Sequence, residues 1–267
     1  MQEITSLQNQ IIKQTAELKQ KKYRQQQGTF LVEGLRSVEE AVAYGQVETL
    51  FYTSALEERA VRLLRKAEAC CRLYQVTEPV MAKLCDTKSP QGFAAVVRQA
   101  KFTLDTLAVA LGRVKAPLVI LDRVQDPGNL GTIIRTADAA GAAGIILLAG
   151  SVDVYSPKVV RATMGSLFHL PVIEQVEETA LVSWCTQHGF TLAVTAMAAS
   201  ESIYTANLNK ALALIIGNEA GGVSPTLLAQ AGLKLYIPMQ GKAESLNAAM
   251  AAGIILFESL RQRQVNT

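Results

Sequence analysis

The chain has 267 residues, 49% apolar and 18% charged, an ordinary balance for a globular protein of about two domains at roughly 150 residues each, and wholesale disorder is excluded. No uncharged apolar stretch approaches the ~20 residues that span a bilayer, and the N-terminus lacks the apolar run of a secretory signal, so a cytoplasmic protein with no membrane contact is expected. Cys70, Cys71, Cys85 and Cys185 form no CxxC pair and accompany only two histidines, a pattern that suggests neither a metal site nor a disulfide framework.

The first hundred residues alternate β-rich and helix-periodic runs, the pattern of an α/β layer structure. Strands are predicted at Thr29–Glu33, Thr49–Thr53, Leu73–Thr77 and Phe93–Arg98, with helices near Ser6–Arg24, Ser37–Tyr44, Leu56–Cys70 and Pro79–Leu84. This defines a small domain over residues 1–105. It holds the whole charge excess of the chain, 15 Lys/Arg against 12 Asp/Glu, whereas residues 106–267 carry 11 against 11. Lys13, Lys19, Lys21, Lys22 and Arg24 cluster near the start beside only Glu3 and Glu17, as a phosphate-neutralising surface or simply a solvated helix face would.

Residues 106–116 read as a linker or linker helix before Pro117 opens the run PLVILDRV. Over residues 117–267 the strands are longer and more apolar: Leu118–Leu121, Ile145–Leu148, Leu192–Ala196, Ala213–Ile216 and Lys234–Ile237. Helices are predicted at Asn129–Ala140, Ser156–Met164, Glu177–His188, Pro225–Ala231 and Ser245–Arg263. Continuous apolar strands alternating with helices predict a mainly parallel sheet covered on both faces. Small residues from Ala248 to Gly253 suit close packing of the last helix.

Three strand-to-helix loops carry polar residues that packing does not explain. In the first, Asp126-Pro127-Gly128 turns the chain, Asn129 occupies a helix N-cap position, and Arg135 emerges beside the apolar stripe Leu130, Ile133, Ile134 and Ala137. In the second, Glu219 stands in the glycine-rich turn IIGNEAGG as the only acidic residue between Glu201 and Glu244. In the third, Pro238 stops a strand, Ser245 is placed to cap the last helix, and Asn247 lies in its first turn. No glycine triplet has the spacing and order of a dinucleotide fingerprint, which disfavours an oxidoreductase.

The motifs NLGTIIRTA, IIGNEAGG and IPMQGKAESLNAAMA, in this order and spacing, resemble the SpoU/TrmH family of the SPOUT superfamily, S-adenosylmethionine-dependent RNA ribose 2′-O-methyltransferases. SLQNQIIKQ and FLVEGLRSVEEA are similar to that family's small L30e-like substrate-binding domain. The resemblance implies an α/β fold in which an L30e-like domain precedes a C-terminal SPOUT domain with a deep trefoil knot. It implies cofactor contacts at Thr195, Ala196, Gly217, Ile237, Met239 and Leu246, and catalytic roles for Arg135, Asn129, Glu219 and Asn247. Arg135 would act either as a base or as a cation stabilising alkoxide charge; the permanent charge of guanidinium favours the second. RNA phosphates would meet Lys13, Lys21, Lys22, Arg24 and Arg36, in ribosomal rather than transfer RNA. A homodimer through the C-terminal domain is implied, with some site residues contributed by the partner. The competing reading is a non-catalytic RNA-binding or ribosome-assembly factor on the same fold; the presence of Arg135 and Asn247 argues against it.

Overall fold

The computed structural model describes residues 2–54, 57–111, 116–195 and 201–265, in two compact units. The first unit spans residues 1–100 and 153–169. Its strands are β1 (Gln2–Ile4), β2 (Thr29–Glu33), β3 (Val47–Tyr52), β4 (Arg72–Val76) and β5 (Phe93–Arg98), and its helices include α1 (Gln10–Glu17), α2 (Lys21–Gln27), α3 (Leu35–Tyr44), α4 (Glu58–Ala67) and α5 (Glu78–Leu84). The sheet runs β1-β4-β3-β5-β2, parallel among β1, β4 and β3 and antiparallel from β3 through β5 to β2. Strand β1 escapes sequence reading because three residues are too short to show a period.

The single helix expected over Ser6–Arg24 is two. Asn9 caps α1, its side chain accepting from the Ile11 N–H at 2.9 Å. The carbonyl end of α1 is closed by Arg24, whose guanidinium donates to Leu18 O at 2.7 Å and Lys19 O at 2.8 Å, so the chain turns there and restarts as α2. Arg24 is only 3% exposed and also pairs with Asp153. The expectation that it meets RNA phosphate is therefore corrected: its two terminal nitrogens are committed inside the unit and its Nε is buried.

The second unit, residues 101–152 and 170–267, contains α6 (Leu104–Leu111), β6 (Leu118–Leu121), α7 (Pro127–Ala139) and β7 (Gly144–Leu148). The chain then forms α8 (Pro157–Thr163), which belongs to the first unit, and returns as β8 (Val172–Val176), α9 (Glu178–Gln187), β9 (Thr191–Thr195), β10 (Glu201–Ser202), β11 (Leu212–Ile216), α10 (Pro225–Gln230), β12 (Leu233–Tyr236) and α11 (Ala248–Val265). All seven strands are parallel in the order β10-β12-β9-β11-β6-β7-β8. One face is covered by α6, α9 and α10, where Leu107, Leu111, Leu181, Trp184 and Leu227 join Leu118, Ile120, Val194 and Ile215 in a single core. The region read as a linker thus contains a helix that is part of this core. The Trp184 indole N–H satisfies itself on Leu104 O at 3.1 Å.

Helix α11 lies against α7. Gly253 is the close point, since a Cβ there would stand 3.3 Å from the Thr136 methyl. The segment after β7, read as part of the C-terminal domain, packs on β2 of the first unit: Tyr155 lies 4.7 Å from the Phe30 ring and donates to Ala100 O, while Val159 and Val160 are buried. A single cut between residues 105 and 117 therefore does not describe the two compact units.

Replacing Asp153 by Ala would leave the buried Arg24 guanidinium without its carboxylate. Urea unfolding should show a loss of about 3 kcal/mol, the scale for breaking one side of a buried ion pair.

Candidate active site

In a parallel sheet the carboxyl ends of the strands share one edge, and the loops leaving that edge are where ligands bind. Here β6 and β11 end in register at Leu121 and Ile216, and β9 ends at Thr195 opposite Leu235, one residue before the end of β12. The three loops singled out in the sequence therefore leave the same edge, brought together by strand pairing across up to a hundred residues of chain.

The first loop is organised by Asp126, which is the N-cap of α7: its Oδ1 accepts from the Asn129 N–H at 2.8 Å, with Pro127 in the first helical position. This corrects the capping role expected of Asn129. Asn129 sits in the first turn with its side chain free for other partners. In the third loop Asn247, not Ser245, caps α11, its Oδ1 accepting from the N–H groups of Ala249 at 2.9 Å and Met250 at 3.2 Å. Capping by Asn247 uses its oxygen, which leaves its amide nitrogen facing outward. That nitrogen donates to Asn129 Oδ1 at 2.9 Å. The Asn129 nitrogen in turn donates to Glu219 Oε1 at 3.0 Å.

Glu219 is held from below as well. The N–H groups of Gln125 and Asp126 donate to its two oxygens at 3.1 and 3.2 Å. Burial works to raise its carboxyl pKa, but the hydrogen bonds from Asn129, from the Gln125 amide and from the Glu219 and Asp126 amides outweigh it and hold the group below the usual carboxylate range. Glu219 is ionised at neutral pH. Three of the four expected catalytic residues thus form one continuous chain, Glu219–Asn129–Asn247.

Arg135 is not part of it. It lies six residues beyond Asn129 on α7, roughly 9 Å along the axis and about 120° around it by helix geometry. It is exposed, and makes no hydrogen bond or ion pair among the described residues. The sequence placed it beside the buried stripe; the structure places it on the solvent face.

Next to this chain is an open, largely apolar cavity of about 170 Å³ whose walls include Thr195, Ile237, Met239 and Leu246, with Leu235, Tyr236, Glu244 and Ser245. Four of the six expected cofactor contacts line it. Ala196 lies outside the described residues. Gly217 is not among the lining residues, and its lack of a side chain has another cause: a Cβ would come within 2.3 Å of the Gly222 backbone across its own tight loop. The cavity fits a nucleoside cofactor with a charged tail in chemical character. Apolar side chains suit a purine face, and among the described residues no backbone N–H of residues 239–247 donates to another backbone group, which leaves those donors for a polar edge. Sequence reasoning missed Leu235, Tyr236, Glu244, Ser245 and the cap Asp126; Asp-Pro with Asn three residues on was the available signal for the last.

In the first unit, Lys13, Lys21, Lys22 and Arg36 are exposed, and Lys22 stands 5.8 Å from the Tyr23 ring centroid. They are available as a basic surface in a way Arg24 is not.

Residues 116–257 match the SpoU rRNA Methylase family, and residues 9–95 match the MRM3-like substrate binding domain. The chain belongs to the SpoU rRNA methylase family. A 23S rRNA (guanosine(2553)-2′-O)-methyltransferase, RlmP, of Bacillus subtilis is 36% identical over 258 residues, covering 96% of this chain and 98% of that protein. Among solved structures, the AdoMet-bound rRNA methyltransferase from Sinorhizobium meliloti superposes with a TM-score of 0.88 at 37% identity, covering 97% of each chain. The SpoU methyltransferase AviRb from Streptomyces viridochromogenes, in complex with AdoMet, gives 0.87 at 32% identity, covering 96% of this chain and 99% of that one.

Because the folded-state pKa of Glu219 is depressed, its ionised form stabilises the fold above the ordinary carboxyl pKa, and that contribution is lost as pH falls through the lowered value. Urea stability measured from about pH 5 to pH 3 should therefore fall more steeply in the wild type than in Glu219→Gln, which has no proton to take up. Equal slopes would contradict the charged assignment.

Proposed function

We propose that this chain is an S-adenosylmethionine-dependent methyltransferase that modifies a ribose 2′-hydroxyl of ribosomal RNA, and that it works as a homodimer in the cytoplasm. The observation that carries the reading is the Glu219–Asn129–Asn247 chain at the carboxyl edge of a parallel sheet, one residue from the cavity wall at Leu246. Near-full-length identity to RNA methyltransferases supports it. The knot implied by the family resemblance belongs to the same reading: after β12 the chain returns to the β6–α7 turn, where Asn247 meets Asn129, as a threaded C-terminal segment requires.

Thr195, Ile237, Met239 and Leu246 would hold the cofactor, with backbone N–H groups of the loop after β12 at its polar edge. Bound there, the cofactor supplies a sulfonium methyl, an electrophile with a good leaving group. The nucleophile is the difficult partner, and the chain's own residues address it. Each asparagine amide nitrogen carries two hydrogens and uses one inside the network. The second hydrogen of each has no partner among the described residues, which leaves a pair of donors able to fix a ribose oxygen. Ionised Glu219 locks the orientation of both amides, because a carboxylate can only accept, so the Asn129 nitrogen must face it and the Asn129 oxygen turns toward Asn247. Orientation of this kind converts binding into rate.

Stabilisation of the developing alkoxide falls to Arg135, as a permanent cation. Its position on the solvent face of α7 suits a site completed by a second copy. Met250, Ile254 and Phe257 recur on one face of α11 at helical spacing, Met250 and Phe257 exposed, an apolar stripe of the kind that pairs helices between subunits. Lys13, Lys21, Lys22 and Arg36 would grip backbone phosphates, while RNA shape and unstacked bases select the nucleotide.

The test is transfer of labelled methyl from S-adenosylmethionine to purified rRNA and tRNA, with the product mapped as 2′-O-methyl by resistance to alkaline cleavage. One mapped ribose in rRNA is expected. Arg135→Ala should lower kcat by about 10²–10³-fold, the scale for removing one charge-stabilising donor, with cofactor affinity nearly unchanged because no cavity residue is touched. Transfer to a base rather than a ribose would overturn the reading.

A further inference from the structure

The carboxyl end of β6 holds a feature that the mechanism above does not use. Asp122 is 0% exposed, a fully buried carboxylate, and the next residue, Arg123, has a backbone φ of +56°, in the left-handed region that an arginine seldom enters. Strain of this kind persists only where surrounding contacts hold it. Here both the side chain and the carbonyl of Arg123 are engaged. Its guanidinium donates to Asp122 at 2.7 and 3.1 Å, and its carbonyl accepts from Asn218 Nδ2 at 2.8 Å and Gln125 Nε2 at 3.2 Å.

These bonds grip the glycine-rich loop at both ends. At its start, Asn218 reaches the Arg123 carbonyl while its own oxygen accepts from the N–H groups of Ala220 at 3.0 Å and Gly221 at 2.8 Å, shaping the crown of the loop. At its end, the Ser224 N–H donates to Asp122 Oδ2 at 2.7 Å. Glu219 hangs between those two anchors. Its carboxylate receives Gln125 and Asp126 N–H from the same short segment that Arg123 turns. An ordinary extended residue at 123 would aim its carbonyl elsewhere and carry residues 124–126 with it.

We infer that Arg123, held left-handed by Asp122, is a positioning residue that sets the place of Glu219 and, through it, of the Asn129 and Asn247 amides. It acts through the network and touches no reacting atom in this account. The inference rests on the methyltransferase reading for its effect on rate, but its structural half stands apart from that reading.

The experiment therefore has two readouts on the full-length protein. Amide hydrogen exchange at Gln125 and Asp126 reports whether Glu219 is seated: in Arg123→Ala their protection should drop at least tenfold, with protection in β7 and β9 unchanged. Steady-state transfer to rRNA should show kcat reduced about ten- to thirtyfold, the cofactor Kd within threefold of wild type, and partial recovery in Arg123→Lys, which restores a cation for Asp122. Unchanged protection at Gln125 and Asp126, or a kcat equal to wild type, overturns the inference. So does loss of protection throughout the sheet, which would mark Arg123 as a residue of general stability; Asp122→Asn, which keeps the side-chain shape and an acceptor for Ser224, checks that outcome independently. A wild-type protein that transfers no methyl defeats the methyltransferase reading alone, and the exchange result still decides whether Arg123 positions Glu219.

Discussion

The site depends on one chain of hydrogen bonds, Glu219 to Asn129 to Asn247, because among the described residues it is the side-chain connection that joins all three loops, which lie far apart in sequence. Each link has a single polarity. Glu219 can only accept, so the Asn129 nitrogen must face it; Asn247 has its oxygen occupied by the start of α11, so its nitrogen must face the Asn129 oxygen. The network thus has one arrangement rather than several, and the unused N–H groups have fixed directions. A carboxylate held ionised by the Asn129 side chain and by backbone amides is the anchor of that order.

The rest of the C-terminal unit explains how irregular loops hold such a network still. Seven parallel strands, with β6, β7 and β11 buried throughout, give a rigid edge, and the loops leaving it are closed by side chains rather than by further regular structure. Asp126 and Ser224 each cap a helix, the latter accepting from Leu227 N–H while its own N–H is taken by Asp122. Polar residues here mostly satisfy loop backbone. Arg135 differs from them: among the described residues it has no hydrogen-bond or ion-pair partner, which is the physical ground for proposing that it serves a site shared between copies.

Much of this was legible in the sequence. Strands β2, β5 and β6 run over the residues their β-branched and apolar patterns mark, and the motif loops carry the family resemblance, which in turn implied four of the cavity residues. What was not legible depended on contacts across the fold. Arg24 reads as one more cation in a basic run, and only the turn between α1 and α2, with Asp153 from more than a hundred residues away, makes it an interior residue. Segment 153–169 has the amphipathic pattern of a crossover helix, and pattern alone does not say which sheet its Val159 and Val160 cover. Both candidate caps were displaced, Asn129 by Asp126 and Ser245 by Asn247, because several residues in each loop carry a suitable oxygen and backbone geometry chooses among them. A left-handed arginine has no sequence signature at all.

The claim that ties the account together is that Arg135 serves the Asn network of a second copy. It is tested by mixing two inactive variants, Arg135→Ala and Asn247→Ala, after dissociation and reassociation in equal amounts. If the site is shared, half of the reassorted dimers carry one intact site of two, and activity should return to about a quarter of wild type. Activity that stays at the level of the separate variants would contradict the shared site and place Arg135 with the Asn129 and Asn247 of its own chain.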